Sequence, residues 1–238
     1  MKHALEYIAI KQTAFADLPF FHFLRDGTRP PEERLGFAPA SAPFAMAFGD
    51  LNKRVLYVPD TREPLQQLIN VHSEEDSTHY LLFLEDLEPL GFDAPLRFSE
   101  ALRLLWGDET RQARWTCSFL IGLLHATPPE LRLVIVEAVE SAGAVAFRIF
   151  RAVADEFRRQ TGRELRFFGA HHEALETGHT MGTDDIEAKL CSIELDDQQR
   201  QQAMALIDLV FQQFSAMMEE FHAYARRHAS TRTWRVGA

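Results

Sequence analysis

Apolar residues return every third or fourth position along most of this chain, and runs that alternate apolar with polar are scarce. The pattern therefore predicts an all-α protein. Over residues 2–25, Leu5, Ile8, Ile10, Phe15, Leu18, Phe21 and Leu24 set out a helix with a break near Pro19, closed by Asp26-Gly27. Pro30-Pro31-Glu32-Glu33 reads as a helix start, with proline and acids in its first turn, and residues 40–51 as a short apolar helix. Residues 52–61 form a connector that looks extended over 54–58. One helix is expected over 62–90, capped by Gly91, followed by helices over 99–106 and 110–126. Thr127-Pro128-Pro129-Glu130 combines a capping box with proline at the first helical position, and the helix it opens, 131–160, is apolar nearly all round up to Phe150. Such a helix belongs at the centre of a bundle. Thr161-Gly162 ends it, Asp196 caps a last long helix to His228, and residues 230–238 read as a frayed tail.

Two places break the apolar pattern. In the 62–90 helix the stripe begun by Leu65, Leu68 and Ile69 runs on through His72, Asp76 and His79 before it returns to Phe83. Burying two imidazoles and a carboxylate costs several kcal/mol unless each finds a partner, and a metal ion meets that need directly. A hundred residues later, within 165–182, His172, Glu176 and His179 repeat the i, i+4, i+7 spacing, which places all three on one helical face. Nitrogen with carboxylate oxygen suits iron or zinc better than magnesium or calcium. The central helix carries only Glu137 and Glu140 as acids in its apolar part, so it offers a carboxylate to the same site. A lone histidine on an apolar face is more often a hydrogen-bonded core residue than a ligand. The repeat of the triad reverses that preference.

Composition narrows the partners. With 238 residues and a formal charge of −10, the chain suits one domain over 1–238 and argues against nucleic acid or an anionic membrane as partner. The amino terminus has no uninterrupted apolar run of the kind a leader or a membrane span needs, which points to the cytoplasm. Cys117 and Cys191 stand far apart with no CxxC partner, so neither a disulfide framework nor a thiolate metal site is expected. Cys117 reads as a buried structural thiol in preference to a nucleophile, and the phenylalanine clusters as core that also lines an apolar pocket beside the metals.

The ferritin-like bundle shares half of this arrangement but would leave His72 and His172 surplus. In order and spacing the chain resembles the haem-oxygenase-like diiron oxidase and oxygenase superfamily. Its early histidines His72 and His79, its central Glu140 and its final His172, Glu176 and His179 follow that pattern. The likeness to the superfamily's nitrile-forming members, which turn a brominated tryptophan into an indole carbonitrile, extends over LPFFHFLRDGTRPPEERL, FGDLNK, LGFDAPLRFSEALR, VIVEAVESAG and ETGH. The chain departs from the commoner pattern at His72, where glutamate is usual, and at Glu176, where aspartate is usual; Asp76 is placed to supply the replaced carboxylate.

The resemblance implies a haem-oxygenase-like helical bundle of seven or more helices. It also implies two Fe(II) ions, the second position labile or taken by manganese, held by His72, Asp76, His79, Glu140, His172, Glu176 and His179, with no catalytic residue beyond these ligands. O2 is the implied co-substrate and a small amine or amino acid the substrate, whose amine approaches the metal; a homodimer fits the apolar helix surface. Glu75 and Glu137 are expected beside the ligands or at the surface, and His171 and Glu173 facing away. N-oxygenation, C–C cleavage and fatty-acid decarboxylation are alternative reactions on the same ligands. A non-catalytic iron-binding or sensing protein is the alternative of another class.

Overall fold

The computed structural model describes residues 1–125, 127–178 and 184–229, with side chains except at 176–178 and 184–187. Among the described residues the chain is helical throughout, in the order α1 Lys2–Phe15, α2 Pro19–Arg25, α3 Pro31–Arg34, α4 Ala38–Leu51, α5 Pro64–Asp76, α6 Tyr80–Leu87, α7 Phe98–Trp106, α8 Arg111–His125, α9 Pro129–Thr161, α10 Ala170–Gly178, α11 Asp184–Ser192 and α12 Asp197–His228. The all-α expectation holds, and the expected break near Pro19 separates α1 from α2. The tail at 230–238 lies outside the described residues.

Helix α9 is the axis of the bundle. It packs against α1, α2, α3, α5, α10 and α12, as its all-round apolar surface requires. Phenylalanines fill the space it shares with its neighbours: Phe37 stacks on Phe221 at 5.5 Å and meets Phe150 at 5.2 Å and Phe168 at 5.7 Å, and Phe20 sits edge-on to Phe37 at 5.0 Å. Rings this deeply buried stabilise the fold by about 1.5–3 kcal/mol each. Gly162 stops α9 in the left-handed conformation at φ 72°. Asp196 opens α12 with a capping box, accepting from the Gln199 N–H at 2.7 Å while the Gln199 side chain accepts from its own N–H.

Several boundaries differ from those read in the sequence. Thr127 does not cap α9; its hydroxyl donates to the Leu123 carbonyl at 2.5 Å, and Pro128 takes the cap position with Pro129 at the first turn. Residues 52–56 are a π-turn, closed by the Tyr57 N–H on the Asn52 carbonyl at 3.1 Å. Tyr57 after it is extended, and the Asn70 amide bonds both the N–H and the C=O of Val58 as a neighbouring strand would. Helix α11 follows the second ligand cluster where the sequence reading placed no element. Helix α7 buries none of its residues: Phe98 and Trp106 are 79% and 70% exposed, and Trp106 borders a groove shared with Met46 and Trp115.

The most consequential difference is that the expected helix over 62–90 is two helices. Glu63 caps α5, accepting from the N–H of Leu65 and Gln66, and α5 ends at Asp76. The Ser77 hydroxyl there donates to the Glu74 carbonyl at 3.0 Å, offering the backbone an alternative to the helical ladder. Helix α4 crosses the break at Gly49, where a Cβ would lie 2.9 Å from the Tyr80 ring and 3.2 Å from the Ser77 carbonyl. Only glycine lets the two segments approach so closely. Gly49→Ala is therefore expected to destabilise the protein by about 1–2 kcal/mol, read as a melting temperature lower by several degrees in a calorimetric scan; an unchanged melting temperature would contradict this packing.

Candidate metal centre

Of the seven predicted ligands, five have described side chains, and all five converge. His72 and Asp76 stand one turn apart on α5, His79 is the residue before α6, Glu140 lies about a third of the way along α9, and His172 is in the first turn of α10. The three histidines and Asp76 are buried, while the Glu140 side chain is 26% exposed. Glu176 falls on the backbone of α10 one turn past His172, its side chain outside the described residues, and His179 lies outside them altogether.

The contacts fall into two halves. His72 Nε2 is 3.3 Å from Asp76 Oδ2 and 3.5 Å from Glu140 Oε1. His79 Nδ1 is 3.1 Å from His172 Nε2 and 3.6 Å from Asp76 Oδ1. Asp76 thus turns one oxygen to each half. For metal–ligand bonds of about 2.1 Å, neighbouring donors are about 3.0 Å apart at right angles and about 3.4 Å at tetrahedral angles. The separations among these five side chains lie close to that range, and one donor atom from each of His72, Asp76 and Glu140 fits within 4.8 Å of the others. Imidazole with carboxylate is the donor chemistry of first-row transition metals. Among the described residues the set His72, Asp76 and Glu140 fits such an ion; His79 and His172, beside Asp76, bring two further imidazole donors.

The break in the 62–90 helix changes how His79 arrives. On one continuous helix it would share the i+7 face of His72; in the structure it comes from the turn after Asp76, and the shorter path still brings its ring to the Asp76 carboxylate. Of the other acids near the site, Glu137 has one carboxylate oxygen fully buried, and Glu75 is half-buried. His171 and Glu173 face away as expected: His171 meets the Arg166 guanidinium at 2.8 Å and Glu173 pairs with Arg151.

Sequence reasoning missed Asp86. It is 1% exposed on α6, seven residues past His79, and its carboxylate accepts the backbone N–H groups of Arg166 at 2.6 Å, Phe167 at 2.9 Å and Phe168 at 3.0 Å. Burial raises its pKa above the ordinary carboxylate value, with the three donors pulling the other way. Arg163 and Arg166 also reach back to Glu88 and Glu85, each at 2.6 Å. The segment before α10 is in this way strapped along α6, and the His172 N–H closes on the Arg166 carbonyl at 3.1 Å. Gly169 lets the strap turn, since a Cβ there would lie 2.0 Å from the Leu165 carbonyl. One helix therefore sets both His79 and His172. The signal was present in the sequence, because positions 72, 76, 79, 83 and 86 continue a single stripe.

Aromatic rings wall the second half. Phe167 lies flat against the His172 ring at 4.9 Å and 16°, and Phe147 meets it edge-on at 4.0 Å.

No family model matches the sequence, and no curated protein matches it. Among solved structures the chain is similar to a domain of unknown function from Shewanella denitrificans described as having a heme oxygenase-like fold, at 13% identity and a TM-score of 0.68, over 97% of this chain and 96% of that one. The chain has a haem-oxygenase-like fold.

His3 and His22 are both exposed, in contact with Glu6 and Asp17. No helix among the described residues is long and apolar enough to cross a membrane. Cys117 is buried against α4, and burial pushes its thiol up to about 12. The thiol therefore stays protonated, and unreactive, near neutral pH. Alkylation of the native protein should therefore modify the exposed Cys191 rapidly and leave Cys117 untouched until the protein is denatured; rapid modification of both would refute the structural role. Asp86→Ala should lower metal affinity about tenfold by loosening His172 relative to His79, and stability by about 2 kcal/mol through three stranded N–H groups. Calorimetric titration with Co(II) and a thermal melt read the two effects, and unchanged affinity would show that the strap does not govern the site.

Proposed function

We propose that this chain is a non-haem diiron enzyme that uses O2 to oxidise a small amine or amino acid. The observation that carries this reading is the Asp76 carboxylate, which faces His72 with one oxygen and His79 with the other. His72, Asp76 and Glu140 would hold one ion, and His79 and His172 beside Asp76 would contribute to a second, with Glu176 and His179 as the further ligands the sequence supplies. Two ferrous ions held there would provide the electrons that activate O2.

The chain's own groups set the conditions for that chemistry. Asp76, Glu140 and Glu176 would offset the charge of the ions, with Glu137 and Glu75 as further carboxylates nearby. Phe147 and Phe167 exclude water from the His172 side, where every electrostatic interaction is strengthened. Similarity to the nitrile-forming members of the superfamily points to a tryptophan-type amino acid as substrate and a nitrile as product. Manganese in the second position is the variant of this reading that the ligands equally accommodate.

Anaerobic Fe(II) titration should give two ions per chain. His172→Ala and Asp76→Ala should each lose at least one of them, with helicity retained in circular dichroism. The ferrous parent should then consume O2 faster with one member of a panel spanning tryptophan-type amino acids, alkylamines and a medium-chain fatty acid, with the product identified by mass. Acceleration by the fatty acid alone would move the reading to decarboxylation. Fe(II) binding without O2 consumption under any condition would replace it by an iron-binding protein.

A further inference from the structure

We propose that a small apolar cavity against the His72 ring is a docking place for dioxygen beside the candidate metal centre. The inference rests on the metal reading above and adds a binding site to it. The cavity leaves about 10 Å³ for the centre of a water-sized sphere, room for one diatomic molecule. Leu51 of α4, Leu56 of the π-turn, Leu120 of α8, and Val136 and Val139 of α9 help to line it, and among the described residues His72 is the one polar residue in its wall.

Each feature selects the same occupant. A buried water needs two to four polar partners, and a wall with a single imidazole does not supply them, so the cavity favours an apolar guest. An amino acid or an indole is far too large for it. Dioxygen is apolar, of the right size, and consumed by the proposed reaction. The position is also apt: Val139 adjoins Glu140 on α9, and the ring that closes the cavity carries the Nε2 facing Asp76 and Glu140. The π-turn brings Leu56 over the cavity, held by the Gln66 amide on the Leu56 carbonyl at 2.7 Å and by Arg132 on Gln66 at 3.3 Å. Such local departures from α-helical winding recur at functional sites.

Xenon, an apolar probe of comparable size, tests the cavity without any metal. Crystals of the metal-free protein under xenon pressure should show one xenon between His72, Leu120 and Val136. Leu120→Phe should abolish that peak, as should Leu124→Phe, which replaces it if the first variant does not fold. In the filled variant the Fe(II) dissociation constant should stay within about twofold, while transfer of electrons from bound Fe(II) to O2 slows by about threefold or more. Absence of xenon from the parent, or an unchanged oxidation rate in the filled variant, would overturn the proposal and leave the metal reading standing. A parent that takes xenon but binds no Fe(II) would overturn both.

Discussion

A buried carboxylate shared between two imidazoles governs this molecule. Asp76 and the rings of His72, His79 and His172 sit where the apolar stripe of a bundle helix would ordinarily place leucines, and their desolvation costs several kcal/mol unless their polar atoms meet partners. The fold satisfies that demand by bringing the groups to one another from three directions: α5 and the turn after it, α9, and α10. Polar clusters of this kind are costly when incomplete, and they specify one arrangement when complete. The same feature that strains the folding balance makes the cluster fit for a metal.

The parts nearest the cluster are shaped by its needs. Helix α5 stops at Asp76 so that His79 approaches on a turn, and Gly49 of α4 gives that turn its space. Helix α6 then measures out the distance to the strap before α10, with Asp86 binding three successive N–H groups and Glu85 and Glu88 pairing with the arginines on either side. Because α6 follows directly on His79 and binds the strap that leads to His172, the two imidazoles are held by one short rigid element. The phenylalanines around α9 supply the apolar surroundings and much of the stabilisation.

Much of this was legible in the sequence, for identifiable reasons. The 3.6-residue period of the apolar positions gave α1, α8, α9 and α12 close to their observed ends, and the capping box at Asp196 and the glycine at 162 marked two termini through local chemistry. The buried polar cluster was legible because polar residues on an apolar stripe are anomalous whatever the fold. What escaped was decided by contacts between distant segments. The break after Asp76 depends on α4 packing at Gly49, the cap of α9 is lost because Thr127 bonds backward to α8, and the π-turn at 52–56 is held by Gln66 from the next helix. Helix α11 is short and its apolar positions are few, so its period carried little signal. Asp86 was visible on the stripe, but only the strap at 166–168 explains its burial.

The most direct test of this account is anomalous X-ray scattering at the iron edge from crystals loaded anaerobically with Fe(II). It predicts two peaks, one between His72, Asp76 and Glu140 and the other between His79 and His172, with the Asp76 carboxylate joining them. A single peak remote from Asp76, or none at these side chains in fully loaded crystals, would contradict it.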